Sequence, residues 1–297
     1  MKIIVHVAIL LLLSIIVLVN LPSVMGLHKA IENFDNKKVE SILKFPVINF
    51  EKRSGSPILN LFAETRGDTP MEIACRVGNV DAARMLLDAG ASTETKLGDF
   101  SLLYITLQDT DQNDLEMVKL LVEHGADPLG SPNDYEECSL VKAALMECTD
   151  YDPPNGEFDE EAFVASSYSQ GKAELITDIF KYLYQKVGDK DYPRYNGETA
   201  LMQAALRQNK ALISYILEEG IDDVNAEDDN GQNCVFYVLP DETKYDHEWK
   251  KETLALLLKW GADFDVIDKD GKTARNYAEE DGDDYLVELI SHSNSDD

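Results

Sequence analysis

Basic residues are scarce in this chain. It has 27 Lys and Arg against 56 Asp and Glu, a formal net charge of −29 over 297 residues. Phosphates would be repelled by that balance, which argues against nucleic acid and against simple adsorption to anionic lipid. Cysteine is also scarce. There are four, and no two form a Cys-x-x-Cys pair, which argues against a structural zinc site. The five His are scattered along the chain. His247-Glu248 begins like a zinc motif, but Lys251 stands where the second His is needed. Aligning Gly271 with the glycine of a calcium loop puts Val266 at the first ligand position and Tyr277 at the last, so that match fails too. Neither a Gly-x-Ser-x-Gly motif nor a phosphate-cradling glycine loop occurs. These absences lead us to expect no catalytic, cofactor-binding or metal-binding residues. A composition that is 44% hydrophobic argues against disorder.

One long apolar run is present, from Ile3 to Val19 after Met1-Lys2. Pro22-Ser23-Val24-Met25-Gly26 follows, with Val24 and Gly26 at the −3 and −1 positions of a cleavage site. Residues 1–26 therefore read as a secretory signal. The run exceeds the usual core of ~7–15 residues, so an uncleaved membrane anchor is the alternative. Either reading places the remainder outside the cytoplasm, secreted or periplasmic in the first case and held at a membrane in the second. Residues 1–26 carry one Lys and no acid, so a cleaved chain would sit at −30. Export permits a disulfide. Cys138 and Cys148 bracket a predicted helix that, if regular, would hold them ~15 Å apart, so they pair only if that helix ends early. Cys75 and Cys234 fall at small-residue positions of predicted helices and read as packed thiols.

The remaining sequence repeats itself. Thr69-Pro70-Met71-Glu72-Ile73-Ala74-Cys75 precedes the run from Val80 to Ala91, and Thr199-Ala200-Leu201-Met202-Gln203-Ala204-Ala205 precedes Leu212 to Gly220. Met71 to Ala82 and Leu201 to Leu212 both span 11 positions. Thr69 suits an N-cap and Pro70 the first helical position. Gly90, Gly125, Gly220 and Gly261 each follow an apolar helix and suit its left-handed exit. Gly-x-Thr recurs at Gly197 and Gly271, with a variant at Gly231.

This pattern resembles the ankyrin repeat. The resemblance implies an all-α solenoid of helix-turn-helix units, about seven of them, over residues 27–292. The units begin near Leu27, Gly67, Gly98, Asp134, Gly197, Gly231 and Gly271, and a polar tail occupies residues 293–297. The family's usual His is replaced by Glu72, Leu103, Val141, Met202 or Phe236. Loss of its bond to the Thr is expected to loosen each repeat. The last unit, from Thr273 to Glu280, exchanges apolar for polar residues, as a capping repeat would.

A repeat fold implies a binding surface rather than a reaction centre. Three units carry insertions, near residues 108–113, 147–170 and 240–249. At equivalent points of stacked repeats, these would emerge on one edge as an acidic lip bearing Tyr151, Asp152, Phe158, Asp159, Glu160, Tyr245 and Trp249. Aromatic anchors among acids suit a basic protein partner. Loop drift accounts for the insertions equally well. The turn tips, with Asp228, Asp229 and Asp268, form a second candidate surface, although Asp and Asn also simply make turns. The expected function is therefore non-enzymatic protein binding, as a scaffold or as an acidic inhibitor or immunity-type protein that neutralises a basic enzyme or toxin; an enzyme with no recognisable motif is the remote alternative.

Overall fold

Thr69 shows how these helices start. Its hydroxyl accepts from the Glu72 N–H at 3.2 Å, and its own N–H donates to Glu72 Oε2 at 2.6 Å. Two orphan donors are thereby satisfied, and Pro70 contributes no N–H that would need a partner. The computed structural model describes residues 26–44, 69–94, 101–108, 111–130, 139–144, 146, 170–187, 192–194, 196–239, 247–280, 282 and 284–293.

Six helix pairs and one pairing of a 3₁₀ turn with a helix occur among these residues, and they fall into two units, residues 1–130 and 131–297. The first unit holds α1 (26–32) and α2 (Asn36–Leu43), α3 (Pro70–Arg76) and α4 (Val80–Asp88), then α5 (Leu102–Thr106) and α6 (Asp114–Glu123). Here α3 packs on α5, and α2, α4 and α6 form a second row. The second unit holds α7 (Ser139–Ala144) and α8 (Gln170–Val187), α9 (Ala200–Leu206) and α10 (Lys210–Glu218), a 3₁₀ turn (Phe236–Val238) and α11 (His247–Lys259), then α12 (Ala274–Glu280) and α13 (Asp284–Ser293). In that unit α9 lies between α7 and the 3₁₀ turn, while α8, α10 and α11 line up behind. In the first unit Ala74 is buried where neighbouring first helices approach and Leu86 and Leu121 fill the core; in the second Ala204 and Ala205 take the first role and Leu212, Ile216 and Leu257 the second. The four glycines expected at helix ends all have positive φ.

The structure corrects three expectations. Replacing the usual His does not leave the Thr unbonded. Glu72 closes the capping box above, Met202 Sδ accepts from Thr199 N–H at 3.3 Å, and Asn276 Oδ1 accepts from Thr273 N–H at 3.0 Å. Three chemically different acceptors thus serve one position. The first helix of the sixth repeat shrinks to a single 3₁₀ turn, because Pro240 follows within two residues and has no N–H to extend the ladder. Cys234 consequently stands in the turn ahead of that element rather than on a helix. Cys75 and Cys234 are free, buried thiols, and burial pushes each up to about 12. Cys138 and Cys148 lie outside the described residues, as do residues 1–25 and 294–297.

Among the described residues, no helix is long and apolar enough to cross a membrane.

Candidate interaction surface

The turn tips of the second unit are built on a repeated carboxylate. Asp228 Oδ1 accepts from the backbone N–H groups of Asn230 and Gln232, each at 2.8 Å, while Oδ2 accepts from the Tyr237 hydroxyl at 3.0 Å. One repeat later Asp268 does the same. Its Oδ1 accepts from Asp270 and Lys272 N–H at 3.0 Å, and its Oδ2 from the Tyr277 hydroxyl at 2.6 Å. Side-chain acceptors that bond to amides two and four residues ahead hold a tight turn closed. Tyrosine, nine residues further on in both cases, ties that turn to the element that follows it.

The tips are also tied to one another. Asp229 N–H donates to the Asn196 carbonyl at 2.8 Å, and Lys269 N–H to the Asn230 carbonyl at 2.9 Å. Lys269 Nζ bonds to the Asp229 carbonyl. Gln232 Nε2 reaches across to Asp268 Oδ2 at 3.1 Å. Below the tips, Asn225 donates to the Gly261 carbonyl at 3.0 Å and accepts from Asp263 N–H at 2.7 Å. Three successive tips are therefore joined through backbone and side chains.

This geometry sorts the acids named from sequence. Asp228 and Asp268 are buried at 8% and 6% exposure, with their carboxylates turned into their own loops. They hold the surface in shape and offer little charge to a partner. Partial burial pushes the Asp268 carboxyl up, but the donors from Tyr277, Lys272, Gln232 and Asp270 together hold it below its ordinary value. Asp229 is exposed, as are Glu218, Glu219, Asp223, Glu227, Asp263, Asp265 and Asp270 in the same two repeats. Trp249 falls within α11. Tyr151, Asp152, Phe158, Asp159, Glu160 and Tyr245 lie outside the described residues.

Sequence reasoning missed a third buried carboxylate of this unit. Asp222 accepts from the Tyr192 hydroxyl at 2.9 Å and from Leu201 N–H at 3.0 Å, with the Arg194 guanidinium 3.6 Å away. Ala200 N–H donates in turn to the Tyr192 oxygen at 2.7 Å. This network satisfies the first N–H groups of α9. Burial pushes both the Asp222 carboxyl and the Tyr192 hydroxyl up from their ordinary values. The only available signal was a tyrosine ahead of the Gly-x-Thr turn. The spacing of the Asp–Tyr clamps was visible in the sequence as Asp228/Tyr237 and Asp268/Tyr277, but sequence alone does not say that the two side chains meet.

The family model described as "Ankyrin repeat" matches residues 66–96 and 196–229. An ankyrin repeat protein of Acanthamoeba polyphaga mimivirus is 31% identical over 140 residues, which is 44% of this chain and 16% of that relative. The chain thus spans about a sixth of the relative's length. Among solved structures, the human ASB11 ankyrin repeat domain matches with a TM-score of 0.63 at 14% identity, covering 90% of this chain and 96% of that domain. The ankyrin repeat domain of Bcl-3 matches with a TM-score of 0.55 at 14% identity, covering 90% and 97%. At such identity the likeness speaks for the fold alone. Together with the paired helices and their tied turn tips, these matches show that the chain carries ankyrin repeats in an all-helical fold like that of known ankyrin repeat domains.

Proposed function

We propose that this chain is an exported, non-enzymatic scaffold that binds a basic protein. Ankyrin repeats are protein–protein interaction modules, and the basic partner is our extension of that role. The observation that carries it is the preformed row of tips in repeats five to seven. Their backbone is fixed by inward-facing Asp228 and Asp268, while outward-facing acids outnumber nearby exposed bases. A surface held rigid before binding loses less entropy on association. Its negative field would speed capture of a positive partner and reject negative ones. Export rests on the apolar run of residues 3–19 and the small-residue site ending at Gly26.

Pull-down from the native host's exported fraction with residues 27–297, at low and high salt, tests the reading. A basic protein retained at low salt and released at high salt supports it. Recovery of acidic or neutral proteins alone, unaffected by salt, refutes the electrostatic part. N-terminal sequencing of the mature protein tests the export signal: a start at Leu27 supports cleavage, and a start at Met1 in the cytosolic fraction refutes export.

The charge balance also favours a narrower reading, in which the partner is a basic enzyme or toxin that the chain neutralises. That role requires stoichiometric inhibition of the captured protein. Undiminished activity of the complex would count against it.

A further inference from the structure

In the fifth and seventh repeats two positions five residues apart meet across the turn and first helix. In the seventh repeat they are Lys272 and Tyr277 and in the fifth Glu198 and Gln203; the sixth has Gln232 and Tyr237 at the same spacing. In the fifth repeat the two side chains bond directly, Gln203 Nε2 to Glu198 Oε2 at 2.5 Å. In the seventh, Lys272 Nζ lies 4.9 Å from the centre of the Tyr277 ring and pairs with Glu280 at 2.5 Å. The Tyr277 hydroxyl is at the same time bonded to Asp268. The chain itself therefore fills this position with a cation, held by an aromatic face and by carboxylates.

The sixth repeat has the same ring and the same clamp. Tyr237 is half-buried and donates to Asp228 as Tyr277 does to Asp268. Glu198 of the fifth repeat adds a carboxylate beside it. Burial first, then the Glu198 and Asp228 carboxylates beside it, push the Tyr237 hydroxyl up from its ordinary value. What differs is the partner residue. Gln232 is neutral, and its amide is drawn away to Asp268. The Tyr237 ring thus repeats the clamped ring of Tyr277, with Glu198 as its nearby carboxylate, and among the described residues no cation lies over it.

We infer that the Tyr237 ring, with Asp228 and Glu198 beside it, receives one lysine or arginine side chain of the basic protein partner. This rests on the protein-binding reading above and names the contact it would use. The ring supplies the face and Glu198 the charge, while the Asp228 clamp fixes the ring before the partner arrives. A single cation inserted at a central aromatic residue is the kind of contact that dominates an interface.

The test uses the full-length chain and a neutral-ended pentapeptide carrying one arginine between glycines and serines, followed by NMR of the tyrosine rings. The Tyr237 resonances are expected to move on titration. Gln232→Lys copies the seventh repeat and should weaken the peptide about tenfold, a change equal to ~1.4 kcal/mol. Glu227→Gln makes the same change of net charge at an exposed site and should weaken it less than about twofold. Lys272→Gln should open a second site at Tyr277. If Gln232→Lys does not fold, Tyr237→Leu removes the ring face and should give a similar loss. Equal weakening by Gln232→Lys and Glu227→Gln, or Tyr237 resonances that do not move, overturns the inference. A partner captured by the wild-type chain and held equally well by Gln232→Lys overturns it while leaving protein binding intact. Peptide binding at Tyr237 by a chain that captures no protein supports the cation site and refutes the wider reading.

Discussion

Replacing Gly197 by alanine should be among the most damaging single changes in the second unit. Gly197 has φ +76°, a conformation in which L-residues cost about 1–2 kcal/mol. A Cβ there would stand 2.9 Å from Asp229 N, 3.0 Å from Asp228 Cα and 3.1 Å from Asp228 C. All three are backbone atoms of the next tip, so no side chain can rotate away. Overpacking of that kind costs roughly 1–3 kcal/mol. Separating the tips also stretches the 2.8 Å bond from Asp229 N–H to the Asn196 carbonyl, worth about 0.5–1.5 kcal/mol. The expected loss is therefore about 2–5 kcal/mol, since these contributions overlap. Gly271 provides the control. Its φ is +77°, but nothing lies within 4 Å of its Cβ position, so Gly271→Ala should cost only the conformational part, about 1–2 kcal/mol. Urea unfolding followed by far-ultraviolet circular dichroism would measure both. If the two variants lose the same stability, or Gly197→Ala loses less, close approach of the tips is not what requires glycine there.

Leu257 is fully buried on α11, and Leu257→Ala should cost ~2–5 kcal/mol in the same assay; an unchanged transition would contradict its place in the core. Cys75 and Cys234, whose thiols burial pushes up to about 12, should resist an aromatic disulfide reagent at pH 8 until the chain unfolds; reaction in the folded protein would refute their packing. The Asp222 carboxyl should titrate above its ordinary ~3.9 in carbon-13 NMR, and Tyr192→Phe should raise it further by removing a donor to the charged form. With the folded value raised, this group's contribution to stability is full below the unfolded pKa and is lost as pH rises through the folded one. A titration at or below the ordinary value would show that the hydrogen bonds outweigh burial.

The parts of the fold legible in the sequence were those set by short-range rules. Thr69 and Pro70 marked a helix start, Gly90 and Gly220 marked helix exits, and the apolar spacing from Leu212 to Leu217 marked a buried face. Positions filled by unlike side chains were harder to read. A missing His suggested a missing bond, yet Glu72, Met202 and Asn276 each bring an acceptor to the same N–H. The helix start needs an acceptor at the right reach, and residue names do not report reach. The sixth repeat kept its turn signal at Gly231 but has only a 3₁₀ turn for its first helix, which a proline two residues further on cannot extend. Asp222 could not be singled out, since its donors come from Tyr192, 30 residues earlier, and from Leu201, 21 residues earlier.

The candidate surface shows why acidity alone misleads. Asp228 and Asp229 are adjacent and chemically identical, yet the first is buried under four donors and the second is exposed. Asp268 and Asp270 divide in the same way. The first acid of each tip points inward because its own turn directs two amides at it; among the described residues no donor holds the side chains of the later ones. Charge-neutralising substitutions intended to probe partner capture therefore belong at Asp229 and Asp270. Asp228→Asn or Asp268→Asn would weaken the turn amides, the tyrosine clamp and, for Asp268, the bond from Gln232. Any loss of binding they cause would mix a folding defect with a missing charge. If Asp229→Asn and Asp270→Asn together leave salt-sensitive capture unchanged, the tips supply shape alone, and the electrostatic attraction lies elsewhere on the chain.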